Sequence, residues 1–303
     1  MPAADAPPIS VVVPTFDRAA FVVRAVRSAL AQTLAPAEVV VVDDASGDDT
    51  AAALAALGDP RVRLVRHPER RGGAAARNTG IDAARGAWLA LLDSDDTWRP
   101  GKLEAQARAV RAAGLGPDDA WLCFTQTLAR GRAVPRRAPR PGEAPGDYWL
   151  LDDNLVQTST LVLPTRVARQ LRFDAALPRH QDLDFFFRAM AAGLAPVFVP
   201  EALARWHDDA PGRIRLQADQ RFSTRWVLAL GDAVSPRARA AFRVKRLLPR
   251  AILEGDWRGA AAHWASARGA APLRQRLAWL GVAARGLATA LAGHARRRAS
   301  RRP

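Results

Sequence analysis

Acidic residues stand directly behind apolar stretches at several points in this chain. Thr15-Phe16-Asp17 follows the run 9–14, Asp43-Asp44 follows 38–42, and Asp93-Ser94-Asp95-Asp96 follows 88–92. Carboxylates gathered at one place repel one another, so a cation is their natural neutraliser. Asp93-x-Asp95 offers two hard oxygen ligands in a tight turn. That set suits Mg²⁺ or Mn²⁺, with phosphate oxygens and water completing the shell. The tripeptide recurs by chance in many proteins, and its place behind a hydrophobic run is what gives it weight here. Further along, Asp182 and Asp184 stand where an apolar helical pattern begins, and His207 lies in Trp206-His207-Asp208-Asp209. Each has an ordinary structural reading beside the chemical one. Asp commonly caps helices and starts turns, which accounts for Asp17 and Asp48, and a carboxylate at a helix's positive end is stabilising.

The elements that would hold these residues follow from periodicity. Residues 9–14 form a short β-branched run suited to a buried parallel strand. Phe21, Val22, Ala25, Val26, Ala29 and Leu30 then recur at helical spacing. Strands are expected over 38–42, 61–66 and 88–92. The polar turn 46–50 caps an Ala-rich helix to Leu57, and Gly72-Gly73 opens another through Ala84. Strand–helix units of this length predict a parallel sheet covered by helices. In such sheets ligands bind beyond the carboxyl ends of the strands, where the acidic runs fall. The middle is less regular: an Arg-, Pro- and Gly-rich mobile loop over 130–145, strands over 158–163 and 197–199, and a helix over 183–192. From Ile214 the pattern is helical almost to the end, with breaks near Ser235-Pro236 and Gly255.

Composition narrows the class. The chain has 303 residues and one cysteine, Cys123, so no intramolecular disulfide can form. That fits a reducing cytosol, and the apolar setting Trp121-Leu122-Cys123-Phe124 marks the thiol as core filler. No secretory signal is visible at the amino terminus. No apolar run reaches a membrane span, since the best candidate, 277–292, is broken by Arg285. The net charge of +15 is unevenly spread. From Pro236 onward 16 Lys and Arg face only Glu254 and Asp256, a net of +14, which leaves +1 for residues 1–235. A balanced body with a basic tail is not the distribution of a nucleic-acid groove, and no recognised reading module accompanies it.

Five motifs, taken in order, resemble the family 2 glycosyltransferases. They are Val11-Val12-Val13-Pro14-Thr15-Phe16-Asp17-Arg18, Val41-Val42-Asp43-Asp44-Ala45-Ser46, Ala76-Arg77-Asn78-Thr79-Gly80, Leu92-Asp93-Ser94-Asp95-Asp96, and His180-Gln181-Asp182-Leu183-Asp184-Phe185 with Arg188. The resemblance covers about residues 9–215 and departs at Gln181, where many members carry Glu. It implies a GT-A fold of the α/β class, with a mostly parallel sheet as catalytic domain over 1–235 and a basic helical extension over 236–303. It implies inverting, metal-dependent transfer of a sugar from a nucleotide-diphosphate sugar, UDP-linked by preference, to a saccharide or glycolipid acceptor. By position, Pro14, Thr15, Asp43, Asp44, Arg77 and Asp93 would hold the nucleotide and Asp95 the Mg²⁺ or Mn²⁺. Asp182 would be the general base. Gln157-Thr158-Ser159-Thr160 resembles the acceptor-side segment, and its hydroxyls equally suit backbone bonding near a strand start. His207 and Arg213 stand as secondary candidates for metal or phosphate contact, against a plain surface role.

Rival readings lack their own signatures. A dinucleotide-binding dehydrogenase would need a glycine fingerprint after the first strand, where Pro14-Thr15-Phe16-Asp17 stands instead. A sugar-phosphate nucleotidyltransferase would carry a Gly-rich turn with a basic residue there. An inactive sugar-binding module would not need Asp95 and Asp182 together. In the tail, Leu273, Leu277, Leu280, Ala284, Leu287 and Leu291 recur at spacings of four and three, flanked by arginines. Two readings stand for this stripe. It docks peripherally on the anionic inner face of the cytoplasmic membrane from a cytoplasmic protein, or it packs on protein with its arginines solvated.

Overall fold

A computed structural model describes residues 7–129, 131–207 and 220–299. The chain divides into two compact units, one of Met1–Arg140 with Asn154–Leu216 and one of Pro141–Asp153 with Gln217–Pro303.

In the first unit the strands and helices alternate as the periodicity predicts. They are β1 (Ile9–Thr15), α1 (Ala19–Leu30), β2 (Glu38–Asp43), α2 (Thr50–Ala55), β3 (Val62–Arg66), α3 (Gly73–Ala83) and β4 (Trp88–Leu91). These four strands run parallel in the order β3-β2-β1-β4. The chain continues through β5 (Thr97–Trp98), α4 (Lys102–Ala112), β6 (Trp121–Ala129), β7 (Arg132–Val134), β8 (Leu161–Pro164), α5 (Thr165–Leu171), α6 (Gln181–Ala191) and β9 (Ala195–Arg205). Here the sheet becomes mixed, since β8 is antiparallel to both β4 and β6 while β9 is parallel to β6. Helices cover both faces. Val11 and Val13 of β1 join a core with Val22, Ala25 and Val26 of α1. On the other face a Cβ at Gly80 would collide with Val12, so α3 can approach β1 only with glycine there.

Three expectations change. The stretch 130–145 is not all loop, because Gly131 at φ 75° turns the chain and Arg132–Val134 pairs with β6. Thr158–Thr160 is a 3₁₀ turn rather than strand, with the Thr160 hydroxyl donating to the Gln157 carbonyl at 2.6 Å. The expected strand over 197–199 is longer. Its pairing jumps from Thr125↔Val199 to Gln126↔Ala202, so Pro200, which has no N–H to give, falls in the irregularity.

The second unit contains α7 (Gln220–Ala229), α8 (Pro236–Phe242), α9 (Leu248–Leu253), α10 (Trp257–Ala265) and α11 (Leu273–Ala299). Its core is built from small residues, Ala240, Ala241, Ala251, Ala260 and Ala267, around Val244, Leu248 and Trp279. The leucine stripe of α11 is divided, with Leu280 packed against this core. Trp279 and Ala283 are buried, whereas Leu273 and Leu277 are 57% and 54% exposed. Among the described residues no helix is long and apolar enough to cross a membrane.

Candidate active site

Parallel strands that depart to opposite sides of a neighbour leave a crevice at their carboxyl ends. Here β1 has β2 on one side and β4 on the other. Pro14 and Thr15 end β1, in register with Val42 and Asp43 of β2. Asp43 is fully buried, and its Oδ1 accepts from the Ser46 amide at 2.9 Å. Its Oδ2 lies 3.6 Å from Arg66 Nε. That oxygen and the Thr15 hydroxyl are both buried without a hydrogen-bond partner. Such groups are uncommon in folded proteins and cost about 1–3 kcal/mol each. Here two of them stand on paired residues at one strand rim.

Asp44 differs from its neighbour because its oxygens are engaged within the fold. Oδ1 takes the Arg71 amide and His67 Nδ1, both at 2.8 Å, and Oδ2 takes the Gly72 amide at 2.7 Å. His67 Nε2 reaches Thr79 Oγ1 at 2.9 Å. Asp44 therefore anchors the entry to α3, whose Gly72 at φ 90° suits only glycine comfortably. His67 was not singled out from the sequence, since nothing around it is periodic or paired.

Entry to α3 positions Arg77. Its Nη2 pairs with Asp93 Oδ1 at 2.6 Å, its Nη1 donates to Gln181 Oε1 at 3.0 Å, and its guanidinium lies 5.2 Å from the Phe173 ring centre. This arginine joins α3, the turn after β4 and the start of α6. The departure at Gln181 keeps an acceptor for Arg77 while removing a charge. Asp182 follows at the first turn of α6. Burial, reinforced by the charge on Asp93, pushes its carboxyl up to about 6, against the opposing pull of the Leu183 amide and Arg77.

The turn after β4 is held from several sides. The Asp93 amide donates to Ser159 Oγ at 3.1 Å, and the Ser159 hydroxyl donates to Asp96 Oδ2 at 2.6 Å. The Trp98 indole donates to the Ser159 carbonyl at 2.7 Å. Asp96 is buried, and burial with Asp93 and Asp95 beside it drives its carboxyl well above the ordinary range. Asp95 Oδ2 lies 3.1 Å from Arg18 Nη1, and its carbonyl accepts from Arg24 Nη2 at 3.0 Å. His207 donates its amide to Asp96 at 3.3 Å, and its Nε2 is 3.0 Å from Thr97 Oγ1. Arg213 lies outside the described residues. Cys123 is buried with its thiol pushed up to about 12 by burial, which removes it as a nucleophile.

Asp48 makes the turn expected of it, whereas Asp17 does not cap α1. Asp17, at φ 48°, accepts from the Gly47 amide at 2.7 Å. Asp48 Oδ2 accepts from Ala19 at the start of α1, while its Oδ1 accepts from the Thr50 amide.

Among the described residues no three His, Cys, Asp or Glu side chains converge on one point. An ion at this rim would therefore take one or two carboxylates and complete its shell with phosphate and water. That is the usual manner of Mg²⁺, and the hard carboxylate oxygens of Asp93 and Asp95 fit it.

The model of Glycosyl transferase family 2 matches residues 10–124. The amylovoran biosynthesis glycosyltransferase AmsB of Erwinia amylovora is 30% identical over 208 residues, 65% of this chain and 69% of that protein. Another curated relative is 52% identical over 108 residues, and there the chain spans only 31% of the relative's length. Among solved structures, S. aureus TarS 1–349 in complex with UDP-GlcNAc aligns with TM-score 0.65 at 16% identity, covering 88% of this chain and 82% of that one. The mannosyltransferase PcManGT from Pyrobaculum calidifontis, in complex with GDP-Man and Mn²⁺, aligns with TM-score 0.60 at 21% identity, covering 95% and 87%. The sheet and its helices are those of the GT-A fold.

Proposed function

The chain belongs to glycosyl transferase family 2, and on that premise we propose that it transfers a sugar from a nucleotide-diphosphate sugar to an acceptor hydroxyl with inversion. One observation carries the reading. Arg77 donates to Asp93 and to Gln181, the neighbour of Asp182, so a proton acceptor and the donor-side rim share one bonded framework, in which burial pushes the Asp182 carboxyl up to about 6. A sugar hydroxyl is a poor nucleophile until a base takes its proton. Asp182 takes that proton as the hydroxyl oxygen bonds to the anomeric carbon and the bond to the diphosphate oxygen breaks. A base on the face opposite the leaving group makes the displacement inverting.

The remaining residues bind and orient. Thr15 and Asp43, with their unpartnered oxygens, accept hydrogen bonds from the nucleoside; a carboxylate there suits the imide N–H of uracil. Asp44 keeps the α3 entry, and with it Arg77, in place beside the nucleotide. Asp93 lies between Arg77 and the ribose side of the rim. Asp95, with Asp93 adjacent, would hold Mg²⁺ or Mn²⁺, which when bound supplies charge stabilisation to the departing diphosphate. The curated relative's part in amylovoran biosynthesis supports a saccharide or glycolipid acceptor. The exposed Leu273 and Leu277, in a region after residue 235 carrying a net of +14, support peripheral docking on an anionic membrane from the cytoplasmic side.

The test is donor hydrolysis across a panel of UDP-, GDP- and dTDP-sugars, with and without Mn²⁺. Release of nucleoside diphosphate from one donor, dependent on metal and lost in Asp182→Asn when acceptor is supplied, is the expected result. No turnover and no nucleotide binding across the panel would favour an inactive module of the same fold.

A further inference from the structure

Arg18 occupies a position where a helix ordinarily wants an acceptor. It is the N-cap of α1, yet its side chain makes no capping bond and the first turn holds no acidic residue. A cation at this end opposes the helix dipole, and Ser, Thr, Asp and Asn are the residues favoured there. The capping is done from elsewhere, by Asp48 on the Ala19 amide at 3.0 Å. The chain also bends to aim this residue. Asp17, a non-glycine at φ 48°, is held by Ser46 Oγ on its amide and by the Gly47 amide on its carboxylate. Backbone held in this region costs roughly 1–3 kcal/mol and persists where the surroundings impose it. From this position Arg18 Nη1 reaches Asp95 Oδ2 at 3.1 Å.

We propose that Arg18 is an internal counter-ion of Asp95, which a divalent cation must displace to reach that carboxylate. The proposal rests on the donor-site reading given above. The pair is suited to exchange. The contact is open to solvent, with 20% of the Arg18 side chain and 12% of the Asp95 side chain exposed. An arginine there relieves repulsion within Asp93, Asp95 and Asp96 while the rim is empty of donor. Because it competes for the same oxygen, it raises the metal concentration the site needs. Asp95 itself stays in place, since its carbonyl is held by Arg24 at 3.0 Å. Arg18 is thus a positioning residue that tunes metal affinity.

The experiment measures UDP and GDP binding by calorimetry over a Mn²⁺ series for the full chain. Arg18→Asn places a favoured N-cap residue type at the start of α1 and removes the competing cation. Its thermal midpoint should equal or exceed wild type, and half-maximal nucleotide binding should need about two- to fivefold less Mn²⁺, the range for partly exposed ion pairs. Arg18→Lys keeps the charge and should stay near wild type. An unchanged or higher Mn²⁺ requirement in Arg18→Asn overturns the proposal. Asp95→Asn separates the two readings. If it abolishes Mn²⁺-dependent binding while Arg18→Asn has no effect, only the counter-ion role fails. If it keeps the wild-type Mn²⁺ dependence, the assignment of Asp95 to the metal fails.

Discussion

Asp182→Asn should make the protein more stable and nearly inactive at the same time. A carboxyl held at about 6 rather than its ordinary 3.8 is harder to ionise in the fold than in the unfolded chain. At 1.36 kcal/mol per pH unit that difference approaches about 3 kcal/mol. Partial solvent reach at Asp182 and the favourable helix end of α6, worth about 0.3–1 kcal/mol, trim it to roughly 1–2 kcal/mol. The sign follows from linkage. A raised folded-state value means that stability is fully present below about 3.8 and is lost as pH rises through about 6. Asn cannot ionise and escapes that loss. Melting curves of variant and wild type should therefore coincide near pH 4, separate through pH 6 and stay apart above it. Turnover should fall by about two to four orders of magnitude, the worth of a positioned base. In the wild type, kcat/KM should rise with pH to a plateau, reaching about a tenth of it at pH 5. A variant less stable than wild type at pH 7.5, with unchanged turnover per folded molecule, would show that Asp182 only caps α6.

Asp95→Asn should remove transfer and metal-dependent nucleotide binding while the melting temperature holds. Asp93→Asn should be milder on metal and should move the pH midpoint of kcat/KM downward, because the Asp93 charge is one of the causes holding Asp182 high; an unmoved midpoint would contradict the coupling. Ser159→Ala strips the Asp93 amide of its acceptor and Oδ2 of buried Asp96 of its donor. A stability loss of about 1–3 kcal/mol is expected in denaturant melts, and none at all would mean the turn holds without it. For the tail, Leu273→Asp with Leu277→Asp should release the protein from sedimenting anionic liposomes at low salt, leaving donor hydrolysis intact. Equal sedimentation of both proteins would remove these leucines from any membrane contact.

The parallel half of the sheet was legible because each element there is local. β1, β2 and β4 are short apolar runs with polar turns behind them, and their carboxylates fall at strand ends by counting alone. The mixed half was less so. Direction of pairing leaves no mark in the residues of β8, and Pro200 interrupts the apolar pattern of β9, although a bulge against β6 carries the strand past it. In α11 the leucines do lie on a helix, yet spacing cannot say which face the fold buries. Trp279 and Ala283, not Leu273 and Leu277, meet the alanine-rich core.

At the site, residue types could be read and their partners could not. Asp43 and Asp44 are adjacent and chemically identical, so the sequence offers no ground for giving them different tasks. The fold does so through contacts 23 to 28 residues away: His67, Arg71 and Gly72 consume both oxygens of Asp44. One oxygen of Asp43 is left buried and without a hydrogen-bond partner. The distinction has a physical origin in strand geometry, where successive side chains leave opposite faces of the sheet. One of the pair must then face the α3 entry and the other the crevice. Arg18, at the start of α1, likewise carries no mark of its partner in the residues around it. Its partner Asp95 lies 77 positions on, and its only local signal is negative, a cation where a helix start would favour Ser or Asn. Local rules are broken where a site requires it, so the residue that fits its own helix worst is the one to test first.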